Sequence, residues 1–477
     1  MWIAAVSGAR AAEAADPRAD AGTDARADAP SVAIPAPVAA ALAAANVPAA
    51  HAAVFVAPVA EGPLRVSVRA QVPMNPASTM KLVTTYVAMQ ALGPAYHWHT
   101  DALAAMPVRE GTLDGPLWLR GGGDPSLVIE RFWLLVQQLR AAGLRTIRGD
   151  LVVDKSAYDP SVANGSGTLD GNELRPYNVH PDALLVNYKA ITLSFAPDAD
   201  ARVAAVVAMP PLAGFRAPAS VRLADGGCGD WQSRLQGDFR DPWAPAFGGA
   251  YPAACGEQAW NLSLLPATDY AGAAFRALWE SSGGSWEGRV REGTVPPGAR
   301  TLAVLDSPPL AEVIREINKW SNNVMARQVF LTIGAEASHL PASTELAARA
   351  VRSWLERNEL AMPELQLENG SGLSRSERIS AGSLGRLLLH AWRSPMMPEL
   401  VASLPLSGVD GTMRKRPAAA GAAHVKTGYL ADARAVAGYV QAASGKTYVV
   451  VSFINDPNAP AAQAAHDALL QWVRDRG

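Results

Sequence analysis

A mixed α/β fold is what this sequence predicts: an antiparallel sheet flanked by helices, assembled from both ends of the chain, with β-rich modules inserted between them. Three observations carry that expectation. Helical and apolar strand patterns occupy residues 31–100 and return after 300, short strand patterns broken by Gly, Pro and Asp turns fill 101–300, and no unit repeats. A chain of 477 residues is also longer than one core usually organises. The expected division is therefore a leading segment over 1–30, a discontinuous domain over 31–100 and 301–477, and inserted β-rich structure over 101–300.

The leading segment, "MWIAAVSGARAAEAADPRADAG", has small residues suited to a signal-peptidase site at Ala9-Arg10-Ala11 or Ala12-Glu13-Ala14. It lacks a basic start and its apolar run is short, so it reads as a disordered tail or the remnant of an incomplete or clipped signal peptide. "VAAALAAAN" then predicts a short helix and "AAVFVAPV" a strand. Pro35, Pro37, Pro48 and Pro58 break this region, and no membrane span is expected. In "NPASTMKLVTTYVAMQALGP", Asn75 to Pro94, a helix follows Ser78 and stops at Gly93-Pro94.

Within the inserted block, "GPLWLRGGG", "GDLVVDKS", "ALLVNYKAITLSF" and "ARVAAVVAM" read as strands, and "IERFWLLVQQLRAAG" as a helix among them. Beyond 300, Leu310, Val313, Ile314 and Ile317 fall at i, i+3, i+4 and i+7, one buried helical face. Further helices are expected from Asn323, over 343–357 and over 381–392. The strands "AHVKTGYL", "RAVAGYVQAA" and "KTYVVVSFIN" come next, and an amphipathic helix ends the chain.

Composition excludes some functions. Apolar residues make up 49% and charged residues 18%, as in an ordinary globular protein. A net charge of −2 leaves no concentrated basic surface for nucleic acid. Cys228 and Cys255 form no metal-binding spacing; they are either two buried thiols or, in an oxidising compartment, one disulfide. His97 and His99 alternate as on a strand without a third ligand nearby, so no metal site is expected. Gly121–Gly123 lacks the lysine and hydroxyl of a phosphate loop and reads as a turn.

Three short patterns carry chemistry. Ser78 and Lys81 stand three apart on a helix, on one face, so the amine can reach the hydroxyl. A serine needs a base to act as a nucleophile, and a lysine serves only when burial or nearby positive charge lowers its pKa. Alone, the pair is more often a capping serine beside a solvated lysine. Ser321-Asn322-Asn323 offers a hydroxyl and an amide at a turn between helices, where a plain N-cap is the usual reading. Lys426-Thr427-Gly428 on a strand places a cation and a hydroxyl for a carboxylate, with a glycine where another backbone can come close. Lysine occurs only at 81, 155, 189, 319, 415, 426 and 446, so two of the few lysines fall in these patterns.

SxxK, SxN and KTG in that order form the set used by penicillin-binding proteins and class A β-lactamases. With "GGGDPSL", "GDLVVDKSAYD", "PYNVHPDALLVNY", "ENGSGLSR" and "SLPLSGVDGTMRKR", the chain beyond residue 31 resembles the class C low-molecular-mass penicillin-binding proteins, D-alanyl-D-alanine carboxypeptidases and endopeptidases. The long stretch between Ser78 and Ser321 suits that class and not a compact β-lactamase.

The resemblance implies a penicillin-binding-protein or serine β-lactamase-like transpeptidase domain carrying inserted modules. It implies Ser78 as nucleophile, Lys81 as its base, Ser321 as proton relay and Asn323 as the residue orienting Lys81 and the substrate amide. Lys426, Thr427 and Gly428 would hold the terminal carboxylate, and the backbone N–H groups of Ser78 and Tyr429 would form an oxyanion hole. Asp170 would meet the free amino group of the peptide's diamino acid, and Arg375 would line the cleft. Relatives often carry Asp where Asn369 stands, which puts that position's role in question. The implied partners are peptidoglycan stem peptides and covalently bound β-lactams, in the periplasm, with no cofactor; the oligomeric state stays open. Alternatives on the same scaffold are a β-lactamase-like hydrolase and a catalytically spent penicillin- or wall-binding protein.

Overall fold

The computed structural model describes residues 33–162 and 169–477, so the expectation for 1–30 lies outside the described residues. The first helix, Ala36–Ala44, packs on the last, Gln463–Arg476, and joins the two chain ends. Beneath them lies a five-stranded antiparallel sheet in the order Val66–Val68, Ala52–Pro58, Thr447–Asn455, Ala433–Gln441, Ala423–Tyr429.

Period-two alternation sorts each strand between two cores. Ala53, Phe55, Val449, Val451, Phe453, Ala435 and Ala437 face one side, where they meet Lys81–Leu92, Leu310–Trp320, Asn323–Ser338, Thr344–Arg357 and Ala381–Arg393. Val54, Val56, Val450, Ile454, Val436 and Val440 face the two terminal helices. Because both faces are buried, the strands read as near-continuous apolar runs, as in "KTYVVVSFIN".

The middle of the chain leaves and returns through neighbouring strands. His99–Ala104 and Arg300–Asp306 pair antiparallel, so the block between them begins and ends at one place on the host. Those two strands belong to a five-stranded sheet with Leu117–Gly121, Leu151–Asp154 and Val290–Glu292. A second five-stranded sheet is built around Ile191–Asp198 and Val203–Met209. The block has its own core, formed by residues from Ala102 to Leu305.

The structure corrects two readings of this block. "ALLVNYKAITLSF" is strand only from Ile191 onward, because Asn187, Tyr188 and Lys189 have φ of +48°, +54° and +43°. Three successive left-handed residues cannot continue a pleat. The block also contains a second long helix, Ala267–Ser281, whose small residues pack closely. Cys228 and Cys255 form a disulfide there, with Cα atoms 4.6 Å apart.

Candidate active site

Backbone geometry sets the position of Ser78. Ala77–Met80 is a 3-10 turn that runs straight into the Lys81–Leu92 helix. Ala77 enters it at φ +44°, a left-handed conformation that a non-glycine residue adopts only when its surroundings hold it. Asn75 does part of that: its Oδ1 accepts the Ala77 N–H at 2.9 Å and its Nδ2 donates to Ser374 O at 2.9 Å. Gly372, at φ +78°, passes so close that a Cβ there would stand 1.8 Å from Ala77 O. Ser78 caps nothing, since the N-cap position of the helix falls on Met80 and has no side-chain cap.

One turn on, the Lys81 side chain is fully buried. Its Nζ lies 3.1 Å from Ser78 Oγ, 2.6 Å from Asn323 Oδ1 and 2.5 Å from Ser371 O. The last two atoms only accept hydrogen bonds, whereas the serine hydroxyl can donate. An ammonium offers three N–H groups, while a neutral amine offers two and a lone pair. Either form satisfies all three neighbours, because the Ser78 hydroxyl can also accept; in the neutral form the lone pair is free to take the Ser78 proton. Electrostatics shift the balance toward the neutral amine. Burial, then the charges of Lys426 and Arg327, push the Lys81 amine well below its ordinary range, against a weaker upward pull from Glu377.

Ser321 ends the Leu310–Trp320 helix at φ +60°, and Asn322 caps the next helix by accepting Met325 N–H at 3.1 Å. The two caps fold the chain sharply, which brings Asn323 onto Lys81 and leaves Ser321 Oγ 2.8 Å from Lys426 Nζ. Lys426, also fully buried, donates to Thr427 O at 2.8 Å as well, and burial pushes its pKa down to about 7.

Ala423–Tyr429 is the edge strand of the sheet. Leu430 N–H bonds Ala433 O and Gln441 N–H bonds Ala422 O, so even-numbered residues here pair with the neighbouring strand. Antiparallel alternation turns the odd-numbered Thr427 and Tyr429 outward, and the Tyr429 N–H faces the open edge. Gly428 lies against the turn before Ser78; a Cβ would come within 2.8 Å of Pro76 O and 2.9 Å of Ala77 Cβ. Thr427 Oγ1 is 2.8 Å from Thr412 Oγ1, in a loop tied down by a 2.6 Å Lys319–Asp410 ion pair.

Ser78, Ser321, Asn323, Thr427, Tyr429, Asp170 and Arg375 line one cleft of about 910 Å³, with Lys81 and Lys426 beneath it. Asp170 comes from the inserted block. Burial works to raise its pKa, but hydrogen bonds from Tyr177, the Asn172 N–H and Asn178 outweigh that and hold it below the usual carboxylate range. Arg375 donates to Leu169 O at 3.2 Å across the same wall. Asn369 Oδ1 accepts from Ser371 N at 2.9 Å and its Nδ2 donates to Leu373 O at 3.0 Å. An ionised aspartate there would lose the second bond.

Sequence patterns did not reveal several residues that build this site. The Ser371 carbonyl has no residue-type signal at all. Glu377 is fully buried and accepts backbone N–H bonds from Glu368, Asn369, Gly370 and Gly372 at 3.1, 2.9, 2.7 and 2.8 Å. It thereby shapes the loop that presents Ser371 O to Lys81. His97 Nδ1 bonds Ser307 O and His99 pairs with Asp306; among the described residues no group of three His, Cys, Asp or Glu is placed to hold a metal.

Comparison with known proteins converges on one family. Residues 35–476 match the model of the D-Ala-D-Ala carboxypeptidase 3 (S13) family. The D-alanyl-D-alanine carboxypeptidase of Actinomadura sp. strain R39 is 29% identical over 420 residues, covering 83% of this chain and 76% of that protein. The D-alanyl-D-alanine carboxypeptidase DacB of Haemophilus influenzae is 25% identical over 387 residues, covering 80% of each. In fold, the chain resembles penicillin binding protein 4 of H. influenzae with a TM-score of 0.77 and 23% identity, over 92% of this chain and 99% of that one. It also resembles a penicillin G-acylated predatory endopeptidase of Bdellovibrio bacteriovorus, with a TM-score of 0.52 and 15% identity, over 88% of this chain and 91% of that one.

Proposed function

The chain belongs to the D-Ala-D-Ala carboxypeptidase 3 (S13) family, and from that membership we propose how this serine DD-peptidase uses its own residues. The observation that carries the proposal is Lys81 Nζ, buried and held between Ser78 Oγ, Asn323 Oδ1 and Ser371 O.

Ser78 Oγ attacks the carbonyl carbon of the penultimate D-Ala as its proton passes to Lys81. The backbone N–H groups of Ser78 and Tyr429 stabilise the resulting oxyanion, a contribution typically of about 3 kcal/mol per donor. Ser321 relays the proton taken up by Lys81 to the departing amine, the C–N bond breaks, and D-alanine leaves. Water then attacks the acyl carbonyl and gives a proton to the neutral Lys81, which returns one to Ser78 Oγ as the acyl C–O bond breaks. Asn323 fixes Lys81 throughout. Lys426 and Thr427 hold the terminal carboxylate, and the substrate backbone lies along the edge of the strand at Thr427–Tyr429, beyond the segment 405–407 that pairs with Ala423 and Val425.

The inserted block, read as residues 101–300 within a catalytic domain formed by 31–100 and 301–477, contributes Asp170, next to Leu169, whose carbonyl accepts from Arg375. We assign Asp170 to the free ammonium of a stem diamino acid and Arg375 to the wall around it. Crosslinked stems then fit as well as free ends, so endopeptidase action accompanies carboxypeptidase action. The substrate lies in the wall outside the cytoplasmic membrane, and a disulfide suits an oxidising compartment, which together support a periplasmic protein. No helix among the described residues is long and apolar enough to cross a membrane.

Separate incubations of the protein, one with benzylpenicillin and one with crosslinked muropeptides, both read by mass, test this function. The expected result is one penicilloyl group on the Ser78 peptide, loss of one alanine from pentapeptide stems and splitting of dimers. Rapid turnover of a chromogenic cephalosporin without peptide cleavage would instead identify a β-lactamase.

The two lysines predict a bell-shaped pH profile. The competent free enzyme has neutral Lys81 and charged Lys426. Its kcat/KM should rise with pH as Lys81 loses its proton, then fall above about 7 as Lys426 does. Replacing the peptide's terminal carboxylate by a carboxamide should remove the alkaline limb and leave the acid limb in place. An alkaline limb that persists with the carboxamide would show that Lys426 does not hold the carboxylate.

A further inference from the structure

Leu169, Leu373, Ser374 and Arg375 form one wall of the catalytic cleft, and the same four residues bound a second cavity of about 420 Å³ behind it. Arg327 lies on that cavity's lining. It follows Asn323 by one turn on the Asn323–Ser338 helix, so the two project on one side.

Arg327 is half-buried and, among the described residues, has no carboxylate within ion-pair distance. Among the described residues it makes no ion pair or hydrogen bond, and its Nε is buried without a partner. The acidic groups that feel its charge are Glu377 and Glu368. Glu377 is committed to its four backbone N–H groups, and Glu368 Oε2 accepts the hydroxyls of Ser374 and Ser376. A guanidinium drawn partly out of water gains from a directly paired anion. The open space that Arg327 lines has room for one.

The remaining surroundings define the ligand. Phe330, Leu331, Leu169 and Leu373 supply apolar walls, while His180, Arg375 and Glu368, whose Oε2 is engaged by Ser374 and Ser376, add polar groups to the same lining. A cation set among apolar walls accommodates an anionic head on a short aliphatic stem, and the planar guanidinium matches a carboxylate.

We propose that this chamber is a second ligand site, taking a carboxylate on a short aliphatic chain whose charge pairs with Arg327. It rests on the peptidase reading only for the ligand's source, which is either a side-chain carboxylate of the stem peptide held in the cleft or a free small carboxylate. In both cases the bound anion lies across the Leu169–Arg375 wall from the scissile bond. The site is therefore distinct from the Lys426–Thr427 carboxylate site.

The test begins with the full chain acylated by benzylpenicillin, which fills the catalytic cleft. Glutarate is then titrated in and followed by calorimetry. Saturable binding is expected, weakened by about tenfold or more in Arg327→Gln, as for loss of a charge-assisted pair. Thr344→Phe, which fills the chamber from its rim and retains Arg327, should weaken it likewise and decides the matter if Arg327→Gln fails to fold. Absence of saturable binding, or equal binding in wild type and both variants, overturns the site. If no penicillin adduct forms, the peptidase reading falls, and titration of the untreated protein against Thr344→Phe still decides the chamber. A KM raised in Arg327→Gln only for peptides bearing a side-chain carboxylate identifies the substrate as the source. Unchanged KM values with glutarate binding intact identify a free carboxylate.

Discussion

Lys81→Gln is expected to lower the acylation rate of Ser78 by about 10²–10⁴-fold, the range that general-base assistance supplies. The choice of glutamine isolates the proton transfer. Its amide keeps two N–H donors for Asn323 Oδ1 and Ser371 O, and its carbonyl can still accept from the Ser78 hydroxyl. What it cannot do is take the proton, because an amide oxygen is far too weak a base. The hydrogen-bonding of the buried site is thus largely kept while the chemistry is removed. The measurement is the rate of penicilloyl-enzyme formation across pH, with circular dichroism confirming the fold. The acid limb assigned to Lys81 should vanish along with the rate. A variant that acylates within tenfold of wild type and retains that limb would remove Lys81 from the base role. Lys426→Gln offers a contrasting case, because Lys426 is the first of the two cations that depress Lys81. Its loss should move the acid limb to higher pH while raising KM for carboxylate-ended peptides.

The reach of sequence reasoning followed the range of each physical signal. Period-two and near-continuous apolar patterns are local, so the strands at 52–58, 423–429, 433–441 and 447–455 could be read directly. The positions of Gly93 and Pro94 likewise announced the end of the Lys81–Leu92 helix. Ser78, Lys81, Ser321, Asn323, Lys426 and Thr427 were legible because each belongs to a short pattern and lysine is scarce. Other features have no local signature. Nothing in Asn187-Tyr188-Lys189 demands a left-handed turn; the turn is held by tertiary contacts, including Asn187 Nδ2 to Tyr270 OH at 3.1 Å. The Ala267–Ser281 helix was missed although its signal is present, with Ala271, Phe275 and Trp279 at i, i+4 and i+8; the strand patterns on either side drew it into the β-rich block. Ser371 acts through its carbonyl, which every residue possesses. Arg327 looks like any surface arginine until the fold sets it, half-buried, on the lining of a cavity.

Glu377 shows most clearly what residue type conceals, and Glu377→Ala is expected to be the most damaging substitution outside the reacting groups. In sequence it is one acidic residue in a polar run, Ser374-Arg375-Ser376-Glu377-Arg378, and solvent exposure would be the ordinary reading. In the structure it is fully buried and two oxygens satisfy four backbone N–H groups of residues 368–372. Burial raises its pKa, with those same bonds pulling the other way. Alanine would leave the four N–H groups without their acceptor in a site too enclosed to replace it fully with water. A buried group left unsatisfied costs about 1–3 kcal/mol, so even partial rescue leaves a loss of several kcal/mol, a large share of a typical domain's stability. Activity should fall further than stability alone requires. The same loop places Ser371 O on Lys81 Nζ and Gly372 against Ala77 O, at the turn that aims Ser78. Glu377→Gln separates these effects. Its single carbonyl oxygen can satisfy some of the N–H groups, but its NH₂ meets the Gly372 or Gly370 N–H as donor against donor. Chemical denaturation should rank the proteins wild type, Gln, Ala, and penicillin acylation measured well below each midpoint should rank them the same way. If Glu377→Ala retains wild-type acylation while fully folded, the loop is held by its other contacts and Glu377 has no positioning role.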